Sequence, residues 1–308
     1  MRKNIRKYLK KILSFLNRQN IFIQLKKTDK PTLIIAGYTR SGTTYIANLL
    51  SDILRARCIH EPLHPDFSKT VAFFNEREAG SAIKNSPQHL DALKKIFSAE
   101  YKGKARDLGT HLIYTGRRVV KLVRANFYLD IISELNPDVP IVYIIRNPLA
   151  AINSRFRKGY DIPDHSKAVQ DIELFLNQQQ KDILANEKED HKRMAISWCL
   201  DNIMALKNYG KPMFHFVFYE EFVDSFSEVK AIIDKTNLKI KDPKINKEIL
   251  LYMKDEEKTA IFPASKLVKR LGEQKTDEIL EVLKIFGFGD IYNYTTGKPV
   301  SFDKYKSN

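Results

Sequence analysis

The sequence has few cysteines and no long apolar segment. Its two cysteines, Cys58 and Cys199, are too few for a disulfide framework, so we interpret both as reduced core residues of a cytosolic protein. No apolar run approaches the ~20 residues that a membrane-spanning helix needs. The apolar stretch at residues 12–16 is too broken for a secretory signal. We therefore expect a cytoplasmic protein, either free or held peripherally at the inner face of a membrane.

Acidic residues are scarce at the N-terminus, where residues 1–30 hold ten lysines and arginines against one acidic residue, Asp29. This segment supplies most of the formal net charge of +15. Apolar residues recur in it at helical spacing, at Ile5, Leu9, Ile12, Leu13 and Leu16. Such a basic amphipathic helix can lie on an anionic membrane through residues 2–16, or dock on its own domain. The remaining chain is only mildly basic, which argues against a nucleic-acid partner.

Five short apolar runs predict buried strands, at residues 32–37, 56–59, 118–123, 141–146 and 213–218. Helical patterns alternate with them, at residues 125–135, 148–156 and 167–208, and continue to the C-terminus apart from a loop near residues 262–265. This alternation predicts an α/β fold, a P-loop-like three-layer sandwich with a central parallel sheet of about five strands. Residues 66–112 are polar and helix-prone, which predicts a helical insert or lid. We expect residues 1–30 to form a separate basic segment and residues 31–308 to form one domain.

The first predicted strand runs into the segment Gly37-Tyr38-Thr39-Arg40-Ser41-Gly42-Thr43-Thr44, which a helical pattern follows. A strand, loop and helix in this order present backbone N–H groups and a helix N-terminus to a phosphate. The nucleotide-binding loop G-x-x-x-x-G-K-[ST] has a lysine where this chain has Thr43. Because that lysine contacts the β- and γ-phosphates, its absence argues against hydrolysis of ATP or GTP. Arg40 supplies a cation instead, and its guanidinium can bridge two oxygens of a phosphosulfate.

The fourth predicted strand ends in Arg146-Asn147-Pro148. Nucleoside triphosphatases place an aspartate for Mg²⁺ near such a strand end, whereas this chain has a permanent cation. Asn147 and Pro148 are typical of a helix start, and Ser154 lies about two turns into that helix. Arg146 and Ser154 therefore predict a pocket for a second phosphate, and we expect no metal site.

These motifs resemble those of the sulfotransferase family. The 5′-phosphosulfate loop of its carbohydrate (Golgi-type) and tyrosylprotein branches is similar to residues 38–45 (YTRSGTTY). The family's 3′-phosphate motif is similar to residues 142–148 (VYIIRNP) with Ser154 and Arg155, and its strand-end segment is similar to residues 217–222 (VFYEEF). The Glu61-Pro62-Leu63 segment resembles the carbohydrate branch. The chain is thereby identified as a member of this family, and the lack of a membrane-spanning segment favours a bacterial-type cytosolic member over a Golgi enzyme.

The resemblance implies 3′-phosphoadenosine-5′-phosphosulfate (PAPS) as the donor and in-line displacement on sulfur, without a metal or a covalent enzyme intermediate. The implied donor site comprises Arg40, Ser41, Gly42, Thr43, Thr44, Arg146, Ser154 and, near the adenine, Tyr219. The Arg-Lys-Gly loop near the C-terminus of the family's cytosolic branch is absent. Ser265, Lys266 and Arg270 are alternatives for its contribution to the 3′-phosphate site.

An acceptor hydroxyl requires a general base. Glu61 follows the second predicted strand, at the sheet edge where α/β proteins bind ligands, and it is our first candidate. In the tyrosylprotein branch a glutamate near this point acts as the base. His60 and His64 are the alternatives. Lys121 and Arg124 at the end of the third strand either contact acceptor, sulfate or donor, or form structural ion pairs.

The predicted function is transfer of a sulfuryl group from PAPS to a hydroxyl of a carbohydrate or glycolipid, with Glu61, Arg40 and His60 as catalytic residues. Two alternatives stay open: a degenerate P-loop kinase or nucleoside triphosphatase, and a non-catalytic protein that binds anions or a membrane. The string His60-Glu61-Pro62-Leu63-His64 also matches the zinc-protease pattern H-E-x-x-H. We reject zinc because that motif requires a helix, which Pro62 disfavours.

Overall fold

The structure is a computed structural model, and it describes residues 8–9, 11–13, 15–16, 21, 23–25, 28, 30–65, 69–74, 77–98, 101, 113–114, 116–224, 226–235 and 263–305. The central sheet has five parallel strands, which are β1 (Leu33–Gly37), β2 (Arg57–His60), β3 (Arg118–Lys121), β4 (Ile141–Ile145) and β5 (Phe214–Phe218). Their order across the sheet is β2-β3-β1-β4-β5. The predicted α/β fold is confirmed.

The sheet is buried on both faces, because successive residues of each strand point into two separate cores. In β1, Leu33 and Ile35 contribute to one core, whereas Ile34 and Ala36 contribute to the other. This arrangement explains why β1 and β4 are continuous apolar runs rather than alternating patterns. Helices cover both faces, so the molecule has the three layers that the sequence predicts.

The described helices differ in length from a single turn to almost five turns. They are α1 (Thr43–Leu54), α2 (Gly80–Lys84), α3 (Pro87–Phe97), α4 (Leu129–Leu135), α5 (Pro148–Phe156), α6 (Val169–Glu173), α7 (Gln178–Asn186), α8 (Asp190–Leu206), α9 (Tyr219–Asp224), α10 (Phe226–Lys235), α11 (Ala264–Leu271) and α12 (Glu273–Ile285). As predicted, α5 begins with Pro148, and Asn147 Oδ1 accepts a hydrogen bond of 3.3 Å from Ala150 N.

Three details of the predicted secondary structure were wrong. The helix expected at residues 125–135 begins at Leu129, after a turn. The helical region at residues 167–208 is divided into α6, α7 and α8, because Asn177 and Gln180 form a capping box that starts a new helix. After residue 262, Ser265 lies in α11 rather than in a loop, and Tyr292–Asn293 pairs with Lys298–Pro299 as a short hairpin.

The described residues of the insert are mainly helical, in α2 and α3, while residues 66–68, 75–76, 99–100 and 102–112 lie outside the described part. A buried ionic contact fixes the insert to the domain, since Arg77 Nε lies 3.1 Å from the carboxylate of Asp201 in α8. A two-residue strand at Ile113–Tyr114 follows the insert and pairs in parallel with Ile23–Gln24. The division of the chain at residues 30 and 31 stays a prediction.

Candidate active site

The predicted site residues lie at one edge of the sheet, because all five strands are parallel and end there. The loop after β1 contains Arg40, β2 ends at His60 just before Glu61, and Lys121 ends β3. Arg146 follows β4, and Tyr219 follows β5. The chain crosses from one side of β1 to the other in this sheet, and ligands of open α/β sheets bind at the carboxyl ends of the strands beside such a reversal.

The loop after β1 depends on a glycine at position 42. Gly42 has φ of 84° and is the N-cap of α1. A Cβ atom on it would lie 2.1 Å from the ring of Tyr219. No side chain fits at that distance, and the left-handed conformation disfavours one as well. Tyr219 is buried and closes the loop from the β5 side. The adenine contact expected for Tyr219 stays a prediction.

Arg40 is held by both residues that the sequence assigned to a second phosphate pocket. Its Nε donates a hydrogen bond of 2.9 Å to Ser154 Oγ, and its carbonyl oxygen accepts one of 3.0 Å from Arg146 Nη1. Its backbone is left-handed, with φ of 73°, which is uncommon for a residue with a side chain. The Arg146 guanidinium stacks over the ring of Tyr219, 4.6 Å from its centroid. The two predicted anion sites are therefore one connected cluster around Arg40.

The cluster fits an anionic ligand. Within the described part of the chain, the buried atoms Ser41 Oγ and Arg146 Nε have no hydrogen-bond partner. Buried polar atoms are rarely left in that state unless a ligand or water meets them. A donor hydroxyl and a guanidinium N–H at the start of a helix suit the oxygens of a phosphate or sulfate group.

Glu61 forms an ion pair with Lys121 at the ends of β2 and β3. Burial alone would raise the pKa of Glu61, but the charge and hydrogen bond of Lys121 outweigh it, helped by His60 and Arg124, and hold the pKa below its ordinary value. Burial lowers the pKa of Lys121, and its pairing with Glu61 opposes that effect. Glu61 is therefore an ionised carboxylate at neutral pH. Its φ of 50° places it in the left-handed region, as is frequent at functional sites.

His60 connects this ion pair to the loop. Its Nε2 lies 3.2 Å from Thr44 Oγ1 in the first turn of α1, and its Nδ1 lies 3.9 Å from Glu61 Oε1. His64 lies on a turn, where its N–H donates to the carbonyl of Glu61, so the two histidines do not share a helix face as the zinc motif requires. Among the described residues, no three His, Cys, Asp or Glu side chains are grouped as a metal site would need.

The sequence analysis did not identify Tyr160, and it included Glu220 only as part of the segment at residues 217–222. The ring of Tyr160, 46% exposed, lies with its centroid 5.9 Å from the guanidinium carbon of Arg40 and 5.8 Å from that of Arg155. No sequence signal marks it, because it lies in an irregular loop after α5. Glu220 adjoins the predicted Tyr219, and its carboxylate accepts hydrogen bonds from Asn147 N at 3.1 Å and from the hydroxyl of Tyr292 at 2.9 Å. Burial raises the pKa of Glu220, although these hydrogen bonds oppose the effect.

The three alternatives for the 3′-phosphate, Ser265, Lys266 and Arg270, all lie on α11. That helix packs against α5, which carries Ser154. Their contribution to a phosphate site stays a prediction.

A parallel sheet, a glycine loop entering a helix and a cation cluster in place of the loop lysine define a nucleotide-binding α/β protein of the P-loop-like class. Residues 31–242, more than two thirds of the chain, match the sequence profile of the Sulfotransferase family. The chain belongs to the sulfotransferase family, as its motifs predict, and is a PAPS-dependent sulfotransferase.

Three solved structures that are similar to this chain are described as sulfotransferases. One, from Alicyclobacillus acidocaldarius, is 14% identical with a TM-score of 0.40, and the alignment covers 81% of this chain and 97% of that chain. Mouse sulfotransferase SULT7A1 complexed with PAP is 14% identical with a TM-score of 0.42, over 77% of this chain and 69% of that chain. A Mycobacterium tuberculosis sulfotransferase is 14% identical with a TM-score of 0.36, over 86% and 81%. No curated protein matches the sequence.

Proposed function

We propose that this enzyme transfers the sulfuryl group of PAPS to a hydroxyl of a carbohydrate or glycolipid. The observation that supports it most is the fixation of Arg40, whose Nε contacts Ser154 and whose carbonyl contacts Arg146. This arrangement fixes a permanent cation in the loop, where nucleoside triphosphatases have a lysine at the position of Thr43. It suits a group such as a phosphosulfate, which two guanidinium N–H groups can meet together.

The backbone N–H groups of the loop and the side chains of Ser41, Thr43 and Thr44 hold the 5′-phosphosulfate in this proposal. Gly42 lets that group approach the backbone closely. The donor supplies the sulfuryl group, whose bond to the bridging phosphate oxygen breaks as its bond to the acceptor oxygen forms. Arg40 stabilises the negative charge that collects on the leaving phosphate.

The 3′-phosphate lies near Arg146 and Ser154 in this proposal, and the adenine lies beside Tyr219. Arg146 adjoins Asn147, whose backbone N–H is fixed by the buried carboxylate of Glu220. The 3′-phosphate cation is thus attached to a turn that α5, α9 and the C-terminal hairpin all support.

Glu61 removes the proton from the acceptor hydroxyl. It is ionised at neutral pH, and it lies at the same edge of the sheet as Arg40. Lys121 holds the carboxylate in place, and its ammonium stays beside Glu61 when the proton arrives. His60, between Glu61 and Thr44, is the alternative base.

A sugar hydroxyl is the acceptor that we favour. The Glu61-Pro62-Leu63 segment resembles the carbohydrate branch of the family. The half-exposed ring of Tyr160 beside Arg40 offers a flat apolar surface with a polar tip, which suits one face of a sugar ring.

We further propose that the enzyme acts in the cytoplasm and contacts an anionic membrane through residues 2–16. No helix among the described residues is long and apolar enough to span a bilayer. Residues 8–9, 11–13 and 15–16 are helical, and Leu9, Ile12 and Phe15 are between 53% and 61% exposed. Lysines and arginines surround these apolar side chains in the sequence, as in helices that lie on anionic lipid.

The test of the donor is binding of adenosine 3′,5′-bisphosphate (PAP) compared with Mg²⁺-ATP, measured by thermal stabilisation and calorimetry. A ligand at a hundred times its dissociation constant stabilises the folded state by about 2.7 kcal/mol. We expect stabilisation by PAP, and its loss in Arg40→Ala. Stabilisation by Mg²⁺-ATP alone would overturn the sulfotransferase proposal and favour the kinase alternative.

The acceptor is tested with ³⁵S-labelled PAPS and a panel of methyl glycosides, glycolipids and tyrosine peptides. Label on tyrosine peptides alone would overturn the carbohydrate proposal.

A further inference from the structure

An apolar strip lies on the surface at the end of the basic segment 1–30. Ile23 belongs to a two-residue strand, and Ile21 and Leu25 lie two residues before and two residues after it in the chain. Ile113 is the direct partner of Ile23 in the short parallel pair. The four residues of this apolar strip, Ile21, Ile23, Leu25 and Ile113, are between 52% and 70% exposed. Adjacent exposed side chains of this size are typical of an interaction surface.

The strip is attached firmly to the domain. Leu25 N donates a hydrogen bond of 2.9 Å to the carbonyl of Tyr114. Thr28 Oγ1 donates to the carbonyl of Gly116 at 2.8 Å, and the buried Arg118 donates to the carbonyl of Thr28 at 3.0 Å. Because Arg118 is the first residue of β3, this attachment lies at the amino-terminal edge of the sheet. The donor loop lies at the opposite edge, so contact at the strip and donor binding are separable.

Charge identifies the occupant of the strip. Lys26 and Lys27 follow Leu25 directly, and residues 1–30 hold ten basic residues against Asp29. A second copy of the chain would bring the same positive charge to the contact and be repelled. A surface of anionic lipid headgroups over an apolar interior attracts the lysines and accepts the isoleucine and leucine side chains.

We propose that the apolar strip inserts into the headgroup region of an anionic membrane, as a second contact in addition to the one proposed for residues 2–16. This inference rests on the membrane contact of the proposed function and adds a rigid element to it. Two contacts fix the orientation of the domain on the bilayer, whereas the helix alone would leave it free to rotate. The domain is thereby held with the amino-terminal edge of its sheet toward the lipid.

The test is co-sedimentation of the full chain with vesicles of phosphatidylcholine, either alone or with about 30 mol% phosphatidylglycerol, which gives the vesicles an anionic surface. The variant I23S/I113S removes the centre of the strip, and L9S/I12S removes part of the helix face. Leu174→Ser is the matched control, because Leu174 is 82% exposed at the end of α6, away from the strip. PAP affinity and the melting temperature are measured on every protein.

We expect binding to the anionic vesicles, weakened about tenfold or more in I23S/I113S and unchanged in Leu174→Ser. PAP affinity and melting temperature should be the same in all of them. If I23S/I113S binds the vesicles as well as the unaltered chain does and only L9S/I12S loses binding, the strip does not contact the membrane and the contact of residues 2–16 is retained. Binding to neither vesicle would overturn both contacts, and retained PAP binding would leave the donor site standing. Dimers in sedimentation velocity that I23S/I113S dissociates would show a second copy on the strip and overturn the proposal.

Discussion

Arg146 donates a hydrogen bond from Nη1 to the carbonyl oxygen of Arg40, 3.0 Å away, and so ties the end of β4 to the loop after β1. The same guanidinium stacks on Tyr219, which in turn packs against Gly42. A single side chain thus fixes the loop that starts α1 and carries the charge that we propose for the 3′-phosphate of the donor. These two tasks require the planar, multiply donating guanidinium, because an ammonium group is a compact point charge.

Arg146→Lys should therefore weaken PAP binding although the charge is kept. Lysine at this position cannot both hold the Arg40 carbonyl and meet a phosphate, and a charge-assisted hydrogen bond contributes about 1.5–3 kcal/mol. The expected loss is about tenfold to a hundredfold in affinity, measured by calorimetry. Arg157→Lys is the control, since Arg157 is exposed at the end of α5. Equal PAP affinities for Arg146→Lys and Arg157→Lys would show that the Arg146 side chain does not bind the donor.

Gly42→Ala should abolish PAP binding because the added Cβ meets the ring of Tyr219. A second glycine, Gly159, separates this contact from the effect of backbone strain. Gly42 and Gly159 both have positive φ, 84° and 62°, so alanine is strained at both positions. The added Cβ meets the Tyr219 ring at position 42 and nothing within 4 Å at position 159. Left-handed backbone costs alanine about 1–2 kcal/mol, so Gly159→Ala should lower stability by that amount and leave PAP affinity intact.

The comparison is made by urea unfolding and calorimetry on the two variants. Overpacking adds about 1–3 kcal/mol to the backbone strain at position 42. Matching losses of stability in the two variants, with PAP binding retained in both, would mean that the contact between Gly42 and Tyr219 does not shape the loop.

The acidic limb of the pH profile identifies the base. In the proposed mechanism the carboxylate of Glu61 is the active form, and Lys121 holds the pKa of Glu61 below its ordinary value. If Glu61 accepts the proton, kcat/KM stays level through the neutral range and falls only below the ordinary pKa of a glutamate, about 4.3. An imidazole base would lose activity as the pH falls through about 6.5. A fall in kcat/KM near that higher pH, absent from the profile of His60→Gln, would identify His60 as the base instead of Glu61.

Lys121→Met should move the same limb to higher pH. Burial raises the pKa of Glu61 and is opposed chiefly by the Lys121 ammonium, so removing that charge raises the pKa of the carboxyl. Glu61→Gln should lower kcat by about 10²–10⁴, the contribution of a general base. Both are measured as PAPS turnover with the best acceptor of the glycoside panel. If Lys121→Met leaves the pH of the acidic fall in turnover unchanged, Glu61 is not the group that titrates.

The sheet and the loop were predictable because their signals are local. Each strand is four or five residues long and largely buried, with an apolar centre, and its ends fall within about two residues of the prediction. The hairpin at Tyr292–Asn293 and Lys298–Pro299 escaped prediction because two-residue strands show no periodicity.

Contacts between distant residues were not predictable. The sequence indicated Arg40 and Ser154 separately, but their hydrogen bond joins positions 114 residues apart. The pairing of Glu61 with Lys121 arises because β2 and β3 are neighbours, which a sequence of alternating strands and helices does not specify. Tyr160 reaches Arg40 from an irregular loop that has no pattern at all.

A buried polar network links the insert to the core. The carboxylate of Asp201, fully buried in α8, contacts Arg77 from the insert, Asn126 from the turn before α4, and His165. Burial alone would raise the pKa of Asp201, but the charge of Arg77 and the hydrogen bonds of His165 and Asn126 hold it below its ordinary value. The network therefore stabilises the fold above the ordinary pKa of an aspartate, and that stability is lost as the pH falls through the lowered value.

Asp201→Asn should be among the most damaging substitutions outside the donor site. It removes the carboxylate that pairs with the buried Arg77 guanidinium, and loss of one partner of a buried ion pair costs about 3–5 kcal/mol. The ion pair of Lys30 and Asp138, 3.0 Å long and exposed, provides the control, because Asp138→Asn removes the same charge at a cost of about 1 kcal/mol or less. Urea unfolding at neutral pH measures the free energy of unfolding of both variants. At a pH below the folded pKa of Asp201, the free energies of unfolding of Asp201→Asn and the unaltered chain should differ less. Similar losses for Asp201→Asn and Asp138→Asn at neutral pH would mean that the contact with Arg77 does not hold the insert on the core.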